Sequence, residues 1–187
     1  MSAKRWVVVV AVAVVVVAVV FWSRRRQAAP PVAVRLVDQF ATIEKRSNLP
    51  LEKAFALVDV TIRGETKRCV FACPTSRIVW KVTPPPDSWL STSLALKPEV
   101  WDKPGDGVLF RIGISDGRTY EELLNRHVDP ANVQADRGWI PVSIDLSAYG
   151  GRSVDLIFNT NSSLPGKGDD TRNDDAVWAS PEIRRGR

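Results

Sequence analysis

Few side chains in this 187-residue chain carry reactive or ligand-binding chemistry, and each cluster is narrow in what it can do. Cys69 and Cys73 sit in the stretch RCVFACP. If that stretch is extended, their Cα atoms lie about 13 Å apart on one face. A disulfide needs about 7 Å or less, and no further ligand follows at zinc spacing. The expectation is two buried or half-buried thiols. His127 is the only histidine and lies two residues from Asp129. A His–Asp couple can act as a general base, but the chain has no Gly-x-Ser-x-Gly motif and no reactive-cysteine signature to partner it. No catalytic residue is therefore expected, and the chain does not read as an enzyme.

The polar loop NSSLPGKGDDTRNDD holds Asp169, Asp170, Asp174 and Asp175, and Asn159, Asn161 and Asn173 lie in or beside it. These are oxygen ligands of the kind Ca²⁺ prefers, without the EF-hand spacing. The loop reads either as a solvated turn or as a structural calcium site built on the four aspartates. No other cofactor is expected. Seven tryptophans offer flat apolar faces of the kind that stack on pyranose rings. Trp80 shares the face of Ile78 and Val82 and reads as core. Trp89, Trp101, Trp139 and Trp178 fall at strand edges, where core and ligand roles are both open. Trp89, Trp101 and Trp139, with Asn161 of the polar loop, form the candidate ligand-binding set.

Charge restricts the partners. Lys4, Arg5, Arg24, Arg25 and Arg26 precede Pro30 with no acidic residue among them, so the net charge of +5 belongs to the N-terminal flank. The remaining 21 basic residues meet 21 acidic ones. A nucleic-acid binder needs a cationic excess to displace phosphate counterions, and the body of this chain has none.

The elements that must position these residues follow from periodicity. Trp6–Trp22 reads WVVVVAVAVVVVAVVFW, an apolar run flanked by indoles and basic residues. It predicts one N-terminal transmembrane helix in contact with the lipid bilayer through residues 6–22. A cleaved signal peptide is disfavoured because no small-x-small pair follows the run directly. Residues 1–26 are thus expected to form a membrane anchor. Residues 27–50 are expected to be a linker and a short connector helix, with Leu36, Val37, Phe40 and Ile43 at helical spacing. From 51 to 183 the period changes to two, and 184–187 is a basic tail. Runs at 55–62, 77–82, 90–96, 108–114, 140–146 and 154–158, and a last run ending near Ile183, each carry one apolar and one wetter face. With Pro, Gly and Asp between them and no βαβ rhythm, they predict an all-β antiparallel sandwich. YEELLNRH at 120–127 alone reads as helix in this half.

The segment GWIPVSIDLSAYGGRSVDLIFNT followed by DDAVWASPEI resembles the closing strands of bacterial galactose-binding-like jelly rolls of the carbohydrate-binding-module type. Asp145, Leu146, Ser147, Tyr149 and Gly151 match a turn that leads into a central strand. Asp174 or Asp175, with Ala176, Trp178, Pro181 and Ile183, match a terminal strand. The match covers Gly138–Ile183. It implies a jelly roll whose end loops can hold a ligand and, in some members, a structural calcium. It also implies an extracytoplasmic domain. The combined expectation is a single-pass cell-membrane protein presenting a non-catalytic sandwich that binds a glycan or other cell-envelope component. The alternative is an interaction subunit that docks a membrane protein partner and takes no small ligand.

Overall fold

The computed structural model describes residues 31–162 and 170–186. Eleven strands appear among them: β1 Val32–Arg35, β2 Glu44–Ser47, β3 Phe55–Ile62, β4 Glu65–Ala72, β5 Ser76–Val82, β6 Ser88–Leu96, β7 Val108–Ser115, β8 Tyr120–Val128, β9 Ile140–Asp145, β10 Val154–Asn161 and β11 Ala176–Arg185. They build two antiparallel sheets. The first runs β3-β4-β11-β6-β9, with β1 added on β11, and the second runs β2-β5-β10-β7-β8. The period-two runs become strands because each lays its apolar residues on one face, and two such faces exclude water only by stacking.

Four aromatic rings join the layers. Trp80, Phe158 and Phe110 come from the second sheet and Trp178 from the first. Trp80 meets Phe158 edge-on at 4.6 Å, Phe158 lies 4.5 Å from Trp178, and Trp178 meets Phe110 at 4.9 Å. Such edge-to-face pairs add to the stabilisation that burial alone supplies. A second apolar layer lies on the outer face of the first sheet. There Val60, Ile62, Cys69, Ala95, Val177 and Ala179 are buried beneath Phe71, Trp101 and Trp139.

Two expected helices are strands. Within 34–46 the chain forms β1, a 3-10 turn at Leu36–Gln39, and β2. The helical spacing correctly marked which residues are sheltered, since Leu36 is fully buried and Val37, Phe40 and Ile43 pack on the core. Conformation is instead decided by edge pairing, with Arg35 opposite Glu182 and Glu44 opposite Val79. Trp80 Nε1 also donates to the Leu36 carbonyl at 3.2 Å, pinning the crossover between the sheets. The run Tyr120–His127 lies within β8, paired along its length with β7. A register shift between Ile112 and Gly113 lets the adjacent Leu123 and Leu124 both pack against the core, which a regular strand forbids. Tertiary pairing here overrides a helix-favouring composition.

The expected transmembrane helix is likewise corrected, and single-pass residence in a cell membrane with it. Among the described residues no helix is long and apolar enough to cross a membrane. The α-helix α1, Leu51–Ala54, has four residues. Residues 6–22, through which bilayer contact was expected, lie outside the described residues.

Candidate functional site

The wet face of the second sheet carries a trough that crosses its strands. Residues directly opposite in an antiparallel sheet share a face, so the register defines rows. One row is Arg46, Arg77, Asn159, Arg111 and Asn125, running from β2 to β8. The next is Glu44, Val79, Ile157, Gly113 and Glu122. The third is Lys81, Asp155, Ser115 and Tyr120, from β5 to β8. Val79, Ile157 and Gly113 thus make an apolar floor between two polar walls. Five strands give the trough a length of about 19 Å at the usual interstrand spacing.

Local chemistry shapes each part. Gly113 has no side chain, and the Tyr120 ring occupies the space: a Cβ there would come 2.3 Å from Tyr120 Cε2 and 2.4 Å from Oη. An edge-strand tyrosine laid over a neighbouring glycine is a known way to restore packing at a bare position. Tyr120 remains 50% exposed, so its outer face is open to a ligand. In the first wall, Arg77 Nε donates to Asn159 Oδ1 at 2.8 Å and Arg111 Nε donates to Glu122 Oε1 at 2.5 Å. Asn125 Nδ2 donates to Glu122 Oε2 at 3.1 Å. The hydrogen bonds from Asn125 and Arg111 hold the Glu122 carboxyl below its ordinary pKa. At the β2 end, the segment after the 3-10 turn forms one bank of a groove of about 280 Å³. Its lining includes Gln39, Thr42, Glu44, Lys81 and Asp155, with Ile43 and Val79 as apolar contacts. Its size approaches the lower end of small-ligand sites.

The residues singled out from the sequence are distributed differently. Trp101 donates from Nε1 to the Leu96 carbonyl at 2.9 Å, and Trp139 donates to the Glu65 carbonyl at 3.3 Å. Both cover the outer apolar layer of the first sheet, and Lys67 Nζ stands 5.0 Å from the Trp139 ring. Trp89 is on the same sheet near its other end, in register with Arg184 and Asp145. The three tryptophans therefore do not converge on one pocket. Asn161 is on the trough's sheet, on the same face as Asn159 and one row beyond it, opposite Leu109.

Among the aspartates, Asp170 is held by Arg172 at 2.6 Å, which with a backbone bond pulls its carboxyl down to about 2. Asp175 pairs with Lys97 at 3.4 Å, Asp174 is buried, and Asp169 lies outside the described residues. Among the described residues no group of three or more His, Cys, Asp or Glu is arranged to hold a metal ion. The cleft at this end, lined by Lys103, Asp129 and Asn173 among others, has a volume of only about 10 Å³. That is room for about one water.

His127 and Asp129 do not form a couple. The His127 ring donates from Nε2 to the Asp106 carbonyl at 2.7 Å, and Asp129 accepts from Asn132. Cys69 and Cys73 are both free thiols, and burial pushes Cys69 up to about 12. The trough itself was not read from the sequence. Its side chains on β5, β7 and β10 stand on the wet faces of expected strands, whereas those on β2 and β8 lie in stretches expected to be helical, and strand order, which brings Arg77, Asn159 and Arg111 side by side, has no local signal. An isolated glycine inside the run 108–114 was the available hint.

No family model matches the chain. One curated relative, an uncharacterized protein of Archaeoglobus fulgidus, is 41% identical over 100 residues, covering 53% of this chain and 24% of that protein. The aligned stretch thus takes up about a quarter of that relative's length. Among solved structures, the CBM51-bearing M60 protein ZmpB of Clostridium perfringens superposes with a TM-score of 0.53 at 14% identity, covering 76% of this chain and 14% of that one. A structure of CBM51-2 and INT domains of the same protein gives 0.50 at 17%, covering 76% and 28%. The sandwich shares its fold with carbohydrate-binding modules. The galactose-binding-like resemblance read from Gly138–Ile183 is thus upheld at the level of the fold.

Proposed function

We propose that this sandwich is a non-catalytic carbohydrate-binding module that takes a glycan chain along the trough on its second sheet. The observation that carries this reading is the trio of rows: an apolar floor between two polar walls, closed at one end by an exposed tyrosine. A pyranose presents the same division, with C–H groups on its faces and hydroxyls on its rim. The faces fit Tyr120, Val79 and Ile157, and the hydroxyls fit Asn125, Lys81 and Asp155. The shared fold with CBM51 domains supports this assignment.

The test is affinity electrophoresis of the full chain through gels containing a panel of plant and bacterial polysaccharides. At least one polysaccharide is expected to retard the protein, and Tyr120→Ala is expected to weaken that retardation. Absence of retardation across the panel, or equal retardation of the Tyr120→Ala variant, overturns the reading.

A further inference from the structure

On the carbohydrate-binding reading above, we propose that the trough selects glycans that carry a carboxylate, with Arg77 as the anion-recognising residue. Arg46 directly faces Arg77 across the β2–β5 pair, and Arg111 stands two strands further along the same row. Like charges placed directly opposite one another destabilise a sheet, and a guanidinium does not shed its proton to escape the repulsion. Two of the three are neutralised within the protein. Arg46 pairs with Glu44 at 2.5 Å and Arg111 with Glu122 at 2.5 Å. Among the described residues Arg77 enters no ion pair, although it is the middle one of the three.

Arg77 is also oriented. Its Nε donates to Asn159 Oδ1, and Asn159 is only 7% exposed, so the anchor is fixed by the strand beneath it. With Nε committed to Asn159, the two terminal nitrogens of the exposed guanidinium are left for a ligand. A planar fork held in this way matches a planar carboxylate through two parallel hydrogen bonds. The exposed Asn125 amide in the same row can meet a neighbouring hydroxyl. The excess charge therefore lies beside the apolar floor that takes the sugar ring, the arrangement a uronate residue requires.

The experiment is isothermal titration calorimetry of the full chain with three probes: polygalacturonate, the same polymer methyl-esterified, and a sulfated galactan. Polygalacturonate is expected to bind roughly 10-fold or more tightly than its esterified form, as a charge-assisted bidentate contact would give. Arg77→Gln is expected to remove that difference. Arg77→Lys keeps the charge but loses the fork, and it is expected not to restore the difference. Equal affinity for the two polymers overturns the proposal, as does an Arg77→Gln variant that keeps the preference, which would assign it to the basic flank at 4–26. A preference for the sulfated galactan over polygalacturonate overturns the carboxylate assignment. Binding of both polymers without preference, weakened in Tyr120→Ala, defeats this inference and leaves the carbohydrate reading standing. Failure to bind any polysaccharide defeats both.

Discussion

A single methyl group placed on Gly113 separates the trough's binding role from its contribution to stability. In Gly113→Ala the new Cβ would lie 2.3 to 2.5 Å from three atoms of the Tyr120 ring, far inside any real contact. The backbone at Gly113 needs no left-handed conformation, so alanine itself fits the strand. Replacing a strand-interior glycine by alanine gains about 0.5–1 kcal/mol in backbone entropy. Against this stands the cost of turning Tyr120 away, about 0.5–1.5 kcal/mol for a displaced rotamer. Because that ring is half exposed, it can swing into solvent, and the two effects nearly cancel. The urea midpoint is therefore expected to move little, by less than about 1 kcal/mol in stability. Ligand binding is expected to change more. Losing one aromatic stacking face is worth about 0.5–1.5 kcal/mol, which converts to roughly 2- to 13-fold in affinity. Urea unfolding followed by tryptophan fluorescence gives the first quantity, and titration with the polysaccharide that retards the wild type gives the second. A stability loss above about 3 kcal/mol would refute the reasoning, because it would mean the ring cannot move aside. Unchanged affinity would refute it equally, because Tyr120 would then lie outside the site.

Two further expectations concern the framework. Trp80 is fully buried between Phe158 and the Leu36 carbonyl, so Trp80→Ala should cost about 3–5 kcal/mol in urea unfolding, and a loss below about 1 kcal/mol would contradict its place in the core. Cys69 is held as a thiol up to about pH 12, above the value of 9.0 for an unperturbed cysteine, so between these the unfolded chain loses a proton that the folded chain keeps. Stability should therefore fall as pH rises from 9 towards 12, by up to about 1.4 kcal/mol per pH unit, and Cys69→Ser should flatten that slope. An identical slope in the variant would show that other groups govern the alkaline limb.

The positions of most core strands were legible because a half-buried strand must turn every second residue inward, and Ile78, Trp80 and Val82, Val108, Phe110, Ile112 and Ile114, and Val154, Leu156 and Phe158 are all apolar at that spacing. The jelly-roll resemblance was legible for a related reason: the turn at Asp145–Gly151 and the terminal strand with Trp178 carry local geometry in local sequence. Where the alternation was broken, the reading failed. Leu123 and Leu124 are adjacent and resemble a helix face, but Leu123 is an extra residue left out of the pairing with β7, and that bulge lets both pack against the core. Leu36, Val37, Phe40 and Ile43 are spaced like a helix because a chain crossing from one sheet to the other also shelters every third or fourth residue.

The trough belongs wholly to the tertiary structure. Arg77, Asn159 and Arg111 come from β5, β10 and β7, which are far apart in the chain and adjacent only through strand order. The candidate tryptophans show the converse, since amino-acid type alone favoured them as sugar platforms while packing spends Trp101 and Trp139 on the outer layer of the other sheet. Alternation determines which residues turn toward water, because it is a property of neighbours along one strand. Which of those residues meet one another depends on hydrogen bonding between strands distant in sequence, and no local pattern of side chains encodes that.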